Sequence, residues 1–164
     1  WNFSKGASTI PSSAAAGDTL IVPSRGLTAL RPNDKGGEPV SLWSQKTQKP
    51  ATGSPLVTGH RYFFINSAGV LTAADRTTGE RLWRIRVKGP FSGSPVSCDN
   101  NHLYLFNEEG LAQVVDLSGE EGKVVSEFEL GETILGTASI TGNAIFIRSD
   151  QTLWKFAATE PRDK

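Results

Sequence analysis

Ala73-Ala74-Asp75-Arg76-Thr77-Thr78-Gly79-Glu80-Arg81-Leu82-Trp83 is the stretch on which the reading of the fold turns. It is entered from Gly69-Val70-Leu71-Thr72, which alternates as a strand does, and it returns through Arg84-Ile85-Arg86-Val87. A turn between two such runs predicts a β-hairpin. Asp75 and Thr78 carry side chains that hydrogen-bond the backbone of a tight turn, and Gly79 can take the positive φ such turns need. Trp83 then falls on the outgoing strand, where a large aromatic can pack on a neighbouring layer.

Weaker copies of this stretch recur along the chain. Trp1, Trp43 and Trp83 lie about forty residues apart, and twelve residues after them come Ser13, Pro55 and Pro95. The two prolines close identical triplets, Gly53-Ser54-Pro55 and Gly93-Ser94-Pro95. Continuing the period places Ser126 where a fourth Trp would stand, with Ala138 twelve residues beyond. A fixed period of this length, with turn residues every eight to ten positions and no capped helical pattern, predicts four short strands per unit. The units fall at about 12–46, 53–88, 93–130 and 136–157, followed by a polar tail at 159–164. Trp1-Asn2-Phe3-Ser4 reads as an outer strand lacking inner strands, and the last unit as inner strands lacking an outer one. Such units match β-propeller blades better than a sandwich or a helical solenoid.

The composition narrows the function. Seventeen Lys plus Arg balance seventeen Asp plus Glu, so no basic footprint points to nucleic acid or an anionic membrane surface. No apolar run is long enough to span a bilayer and the first residues hold no signal core, so a soluble domain is expected. With no Met and a Trp at position 1, the chain reads as a segment of a longer protein. The lone Cys98 excludes an intrachain disulfide and a thiolate cluster.

Ala73-x-Asp75-x-x-Thr78-Gly79-x-x-x-Trp83 resembles the tryptophan-docking motif of the quinoprotein-type, or PQQ-like, β-propeller repeat. The Gly-Ser-Pro triplets are similar to that family too. The run from Ala138-Ser139-Ile140 to Thr152-Leu153-Trp154 resembles its terminal blade. No Trp is followed by Asp, so the WD40 branch is not resembled. The resemblance implies a propeller whose docking residues are Ala73, Asp75, Thr78, Gly79 and Trp83, with Trp43 and Trp1 in the same phase. It also implies the C-terminal blades of a longer ring and a periplasmic or otherwise extracytoplasmic location. An open half-ring would expose apolar faces and unpaired edges. The fourth blade is therefore expected to be completed by Trp1 to Ser4 or by a second copy in a homodimer.

The family's enzymes, by the same resemblance, are dehydrogenases using pyrroloquinoline quinone and calcium. Their carboxylate and amide ligands, Asp base, aromatic floor and adjacent cysteines have no match here, so no cofactor, metal or catalytic residue is assigned. Glu108-Glu109 and Glu120-Glu121 fall in turns, Asp99-Asn100-Asn101 reads as an Asx-type turn, and His60 and His102 as surface residues of equivalent hairpins. Arg81, Arg84, Arg86 and Lys88 form a basic stripe alternating with apolar residues. It reads as a solvated strand face before an acidic-partner site. The expected function is a non-catalytic scaffold for protein–protein interaction. The alternatives are the C-terminal part of a quinone-dependent alcohol or sugar dehydrogenase, or a sensor module of a signalling protein.

Overall fold

The computed structural model describes residues 1–99 and 101–157. Among these, all helix and strand elements are β-strands. β1 (Ala14–Ala16), β2 (Thr19–Pro23), β3 (Leu27–Arg31) and β4 (Val40–Gln45) make the first sheet. β5 (Leu56–Thr58), β6 (Arg61–Ile65), β7 (Val70–Asp75) and β8 (Arg81–Arg86) make the second. β9 (His102–Phe106), β10 (Leu111–Asp116) and β11 (Lys123–Glu129) make the third, and β12 (Ser139–Thr141), β13 (Ala144–Arg148) and β14 (Leu153–Ala157) the fourth. Within each sheet consecutive strands pair antiparallel. This is the up-and-down blade of the expected all-β propeller. The expected tail at 159–164 lies outside the described residues.

Turn chemistry sets each hairpin. Asn66 Oδ1 accepts the N–H groups of Ala68 and Val70, both at 3.0 Å, and Gly69 closes the turn at φ +70°. One unit later Asn107 Oδ1 accepts the Leu111 N–H at 2.8 Å. A short amide side chain that satisfies backbone donors lets the chain reverse without leaving buried N–H groups unmade.

The second sheet is buried on both faces, which explains the unbroken apolar run of β6. Tyr62 and Phe64 point into a cluster with Ile21, Leu27 and Ala74, against which Trp43 packs. Phe63 and Ile65 point the other way, into a cluster with Trp83, Leu103, Leu105 and Val115. A third cluster joins Phe106, Leu130, Ile134 and Ile147, with Tyr104, Ile145 and Phe156 packed against it. The sheets therefore stack face to face in chain order, each seam lined by alternate residues of two sheets.

A polar thread crosses the seams at the first strands. The Ser12 N–H donates to Ser54 Oγ at 2.8 Å, the Ser54 N–H to Ser94 Oγ at 2.8 Å, and the Ser94 N–H to Thr137 Oγ1 at 2.9 Å. The Gly of each Gly-Ser-Pro triplet gives room for this. A Cβ on Gly53 would stand 2.7 Å from the Gly93 carbonyl oxygen. The triplet is thus the device that brings successive blades together.

Two expected strands differ. The innermost strand of the third unit, expected around Ser94 to Ser97, narrows to a bridge between Val96 and Tyr104. Pro95 has no N–H to donate, and the Ser97 hydroxyl donates to the His102 carbonyl at 2.7 Å. Trp1 to Ser4 form no strand. The Asn2 N–H is taken by the Gly37 carbonyl at 3.2 Å and the Ser4 N–H by Glu38 Oε1 at 3.2 Å. Donors that a fourth strand on β14 would need are thereby engaged at the first sheet.

Candidate interaction surface

Of the residues expected to dock, Trp43 and Trp83 reach across a seam to the next sheet. Asp75 ends β7, and its Oδ1 accepts the N–H groups of Thr77 and Thr78, both at 2.8 Å. Those donors, Thr78 first, hold its carboxyl below the ordinary carboxylate value. Thr78 Oγ1 accepts the Glu80 N–H at 3.2 Å, and Gly79 sits at φ +74° with its N–H on the Asp75 carbonyl at 2.8 Å. Trp43, from the preceding sheet, lies on this turn. Its Nε1 donates to the Arg76 carbonyl at 2.9 Å, and its indole stacks on Tyr62 with ring centroids 5.2 Å apart.

Trp83 repeats the relationship one sheet later. It is buried, pairs with Ala73 on β7 and lies 5.9 Å from the Phe63 ring. A Cβ on Gly122, in the turn after β10, would meet its indole with Cζ3 at 2.8 Å. Trp1 differs: it is 54% exposed, and the segment it begins is tied to the first sheet's loop through the N–H groups of Asn2 and Ser4. A buried set completes the first seam and has no single sequence signature. Gln48 Nε2 donates to the Gly79 carbonyl at 2.9 Å, and the Tyr62 hydroxyl donates to Gln48 Oε1. Burial raises the Tyr62 pKa far above its ordinary value.

The other polar candidates are also held in turns or left at the surface. Asp99 Oδ1 accepts the Asn101 and His102 N–H groups at 2.8 Å, and Asp116 Oδ1 accepts the Ser118 N–H at 2.9 Å. Asn100 lies outside the described residues. Glu108 accepts from Ser92 Oγ at 2.8 Å, while Glu120 and Glu121 are exposed. Among the described residues no three His, Cys, Asp or Glu side chains come together to hold a metal, and no helix is long and apolar enough to cross a membrane.

The rim carries a pattern that alternation alone hides. Each of the first three sheets has a β-bulge at the same place, one residue after the pairs Ala29–Trp43, Ala73–Trp83 and Val114–Ser126. The extra residues are Leu42, Leu82 and Val125, exposed by 36%, 49% and 50%. A bulge leaves its extra residue unpaired and turns it outward. The basic stripe shares this rim. Lys88 pairs with Glu127 at 2.6 Å, Arg86 Nη1 donates to the Ala68 carbonyl at 2.7 Å, and Arg81 and Arg84 stand exposed beside Leu82.

Comparison with known proteins decides the family. The model of a family described as outer membrane protein assembly factor BamB matches residues 1–89 and 67–163. The chain belongs to this PQQ-like propeller family. The crystal structure of BamB from Moraxella catarrhalis superposes with a TM-score of 0.68 at 18% identity, covering 86% of this chain and 43% of that one. This BamB-like chain therefore spans less than half the length of that protein. At such identity the likeness shows the fold, four blades of a propeller. No curated protein matches the BamB-like chain.

Proposed function

We propose that the chain is a non-catalytic propeller scaffold that binds other proteins, in the manner its family description, an assembly factor, suggests. The observation that carries this reading is the ladder of Leu42, Leu82 and Val125, an apolar side chain turned to solvent at the same bulge on three successive blades. Repeated exposed apolar positions on rigid strands suit a protein partner. Arg81 and Arg84 beside Leu82 favour a partner with acidic side chains around its apolar contact. An extracytoplasmic location goes with the family description.

Site-specific photo-crosslinking from Leu42, Leu82 and Val125 in the parent protein tests the reading. The expected result is one protein crosslinked from all three positions and not from exposed Lys5. Crosslinks absent from the three rim positions would refute it.

A further inference from the structure

We propose that the seam between the third and fourth sheets is a binding site for a free, uncharged aromatic molecule of indole size. The first seam is filled by the Trp43 indole and the second by that of Trp83. In the third, the residue in the same register is Ser126, paired to Val114 as Trp83 is paired to Ala73. An apolar groove of about 330 Å³ opens at this place. Tyr104, Val114 and Ser126 form one row of its floor and Phe106 and Ala112 the next, while Ile145 of the fourth sheet faces them.

The volume and lining select the ligand. An apolar cavity of roughly 150 Å³ takes up benzene, and this groove is about twice that size, which suits two fused rings. Among the described residues no ionisable acid or base lines the groove apart from the tyrosine hydroxyl, so a charged molecule would be desolvated without a counter-charge from them. Ser126 offers a further side-chain hydroxyl, a partner for a ring N–H. Phe128 and Phe156 meet edge to face across the outer side at 5.9 Å. What fills the other two seams is an indole, so the chemistry of the occupant is written in the repeat itself.

Titration of the 164-residue chain with free indole, followed by calorimetry and thermal melting, tests the assignment. Indole is expected to bind and to raise the melting temperature with increasing concentration. Ser126→Trp is expected to raise the melting temperature by itself and to abolish the indole effect. Ala112→Leu, a smaller filling of the same floor, should weaken indole binding about tenfold or more, while Val40→Ser, exposed on β4 of the first sheet and outside the groove, should leave it unchanged. Three results would overturn the assignment: no indole binding to the unaltered chain, equal binding to both filled variants, or binding of a tryptophan-containing peptide without binding of free indole.

Discussion

The Trp43 indole covers the α-carbon of Gly79. A Cβ on that glycine would stand 2.6 Å from indole Cδ2, closer than real Cβ contacts come. The tryptophan of one blade and the glycine of the next are therefore one unit, and Gly79 serves it twice. It takes the positive φ of the Asp75 turn and leaves a flat surface for the ring. Trp83 and Gly122 form the same unit at the second seam.

Truncating these tryptophans should separate docked from undocked rings. Trp83→Ala removes a buried indole between two sheets and should cost about 3–5 kcal/mol in urea denaturation. Trp1→Ala, at a half-exposed side chain, should stay within about 0.5 kcal/mol. An equal loss at both positions would show that Trp1 is packed as its phase in the repeat suggests.

Acid should weaken the turns before the cores. The carboxyls of Asp75, Asp99 and Asp116 are each held below their ordinary value of 3.8, in each case chiefly by a backbone N–H of the turn. A lowered folded-state pKa means that the unfolded chain takes up the proton first. This contribution is complete above about pH 3.8 and fades as pH falls through the lowered values. Chemical denaturation across that window should show stability falling with pH, and Asp75→Asn should flatten part of the decline. A profile unchanged by Asp75→Asn would mean that its hydrogen bonds to Thr77 and Thr78 do not distinguish the folded chain.

How much of this was legible in the sequence differs by feature. The period, the hairpins and the turn-forming role of Asp75 could be read, because each depends on residues within one turn or on a regular spacing. The bulges could not: Leu42, Leu82 and Val125 fit a strand by composition, and only the register with the neighbouring strand shows that each is extra. Their place one residue before Trp43, Trp83 and Ser126 was the available signal. By phase, Trp1 to Ser4 or a second copy is expected to complete the fourth blade, whereas hydrogen bonds to Gly37 and Glu38, set by a loop far along the chain, hold Trp1 to Ser4 at the first. By period, Ser126 shows only that it stands where a fourth Trp would. That it opens a groove depends on what Ile145 and Phe156 present from the next sheet.

Cofactor chemistry gives a further expectation. The described residues gather no cluster of carboxylate, imidazole and thiolate ligands, and Asp75, Asp99 and Asp116 all serve turns. Pyrroloquinoline quinone with calcium should leave the melting temperature of the chain unchanged. A saturable rise would favour a quinone-dependent dehydrogenase over a scaffold.

The seam unit is tested most directly by a double-mutant cycle between Trp43 and Gly79 in urea. Gly79→Ala alone must bear both the strain of positive φ and the clash with the ring, whereas Gly79→Ala in a Trp43→Ala background bears only the strain. The glycine substitution is expected to cost at least about 1 kcal/mol less once the indole is gone, an interaction energy well outside additivity. Two losses that add within about 0.3–0.5 kcal/mol would contradict it, and would show that Trp43 does not rest on Gly79.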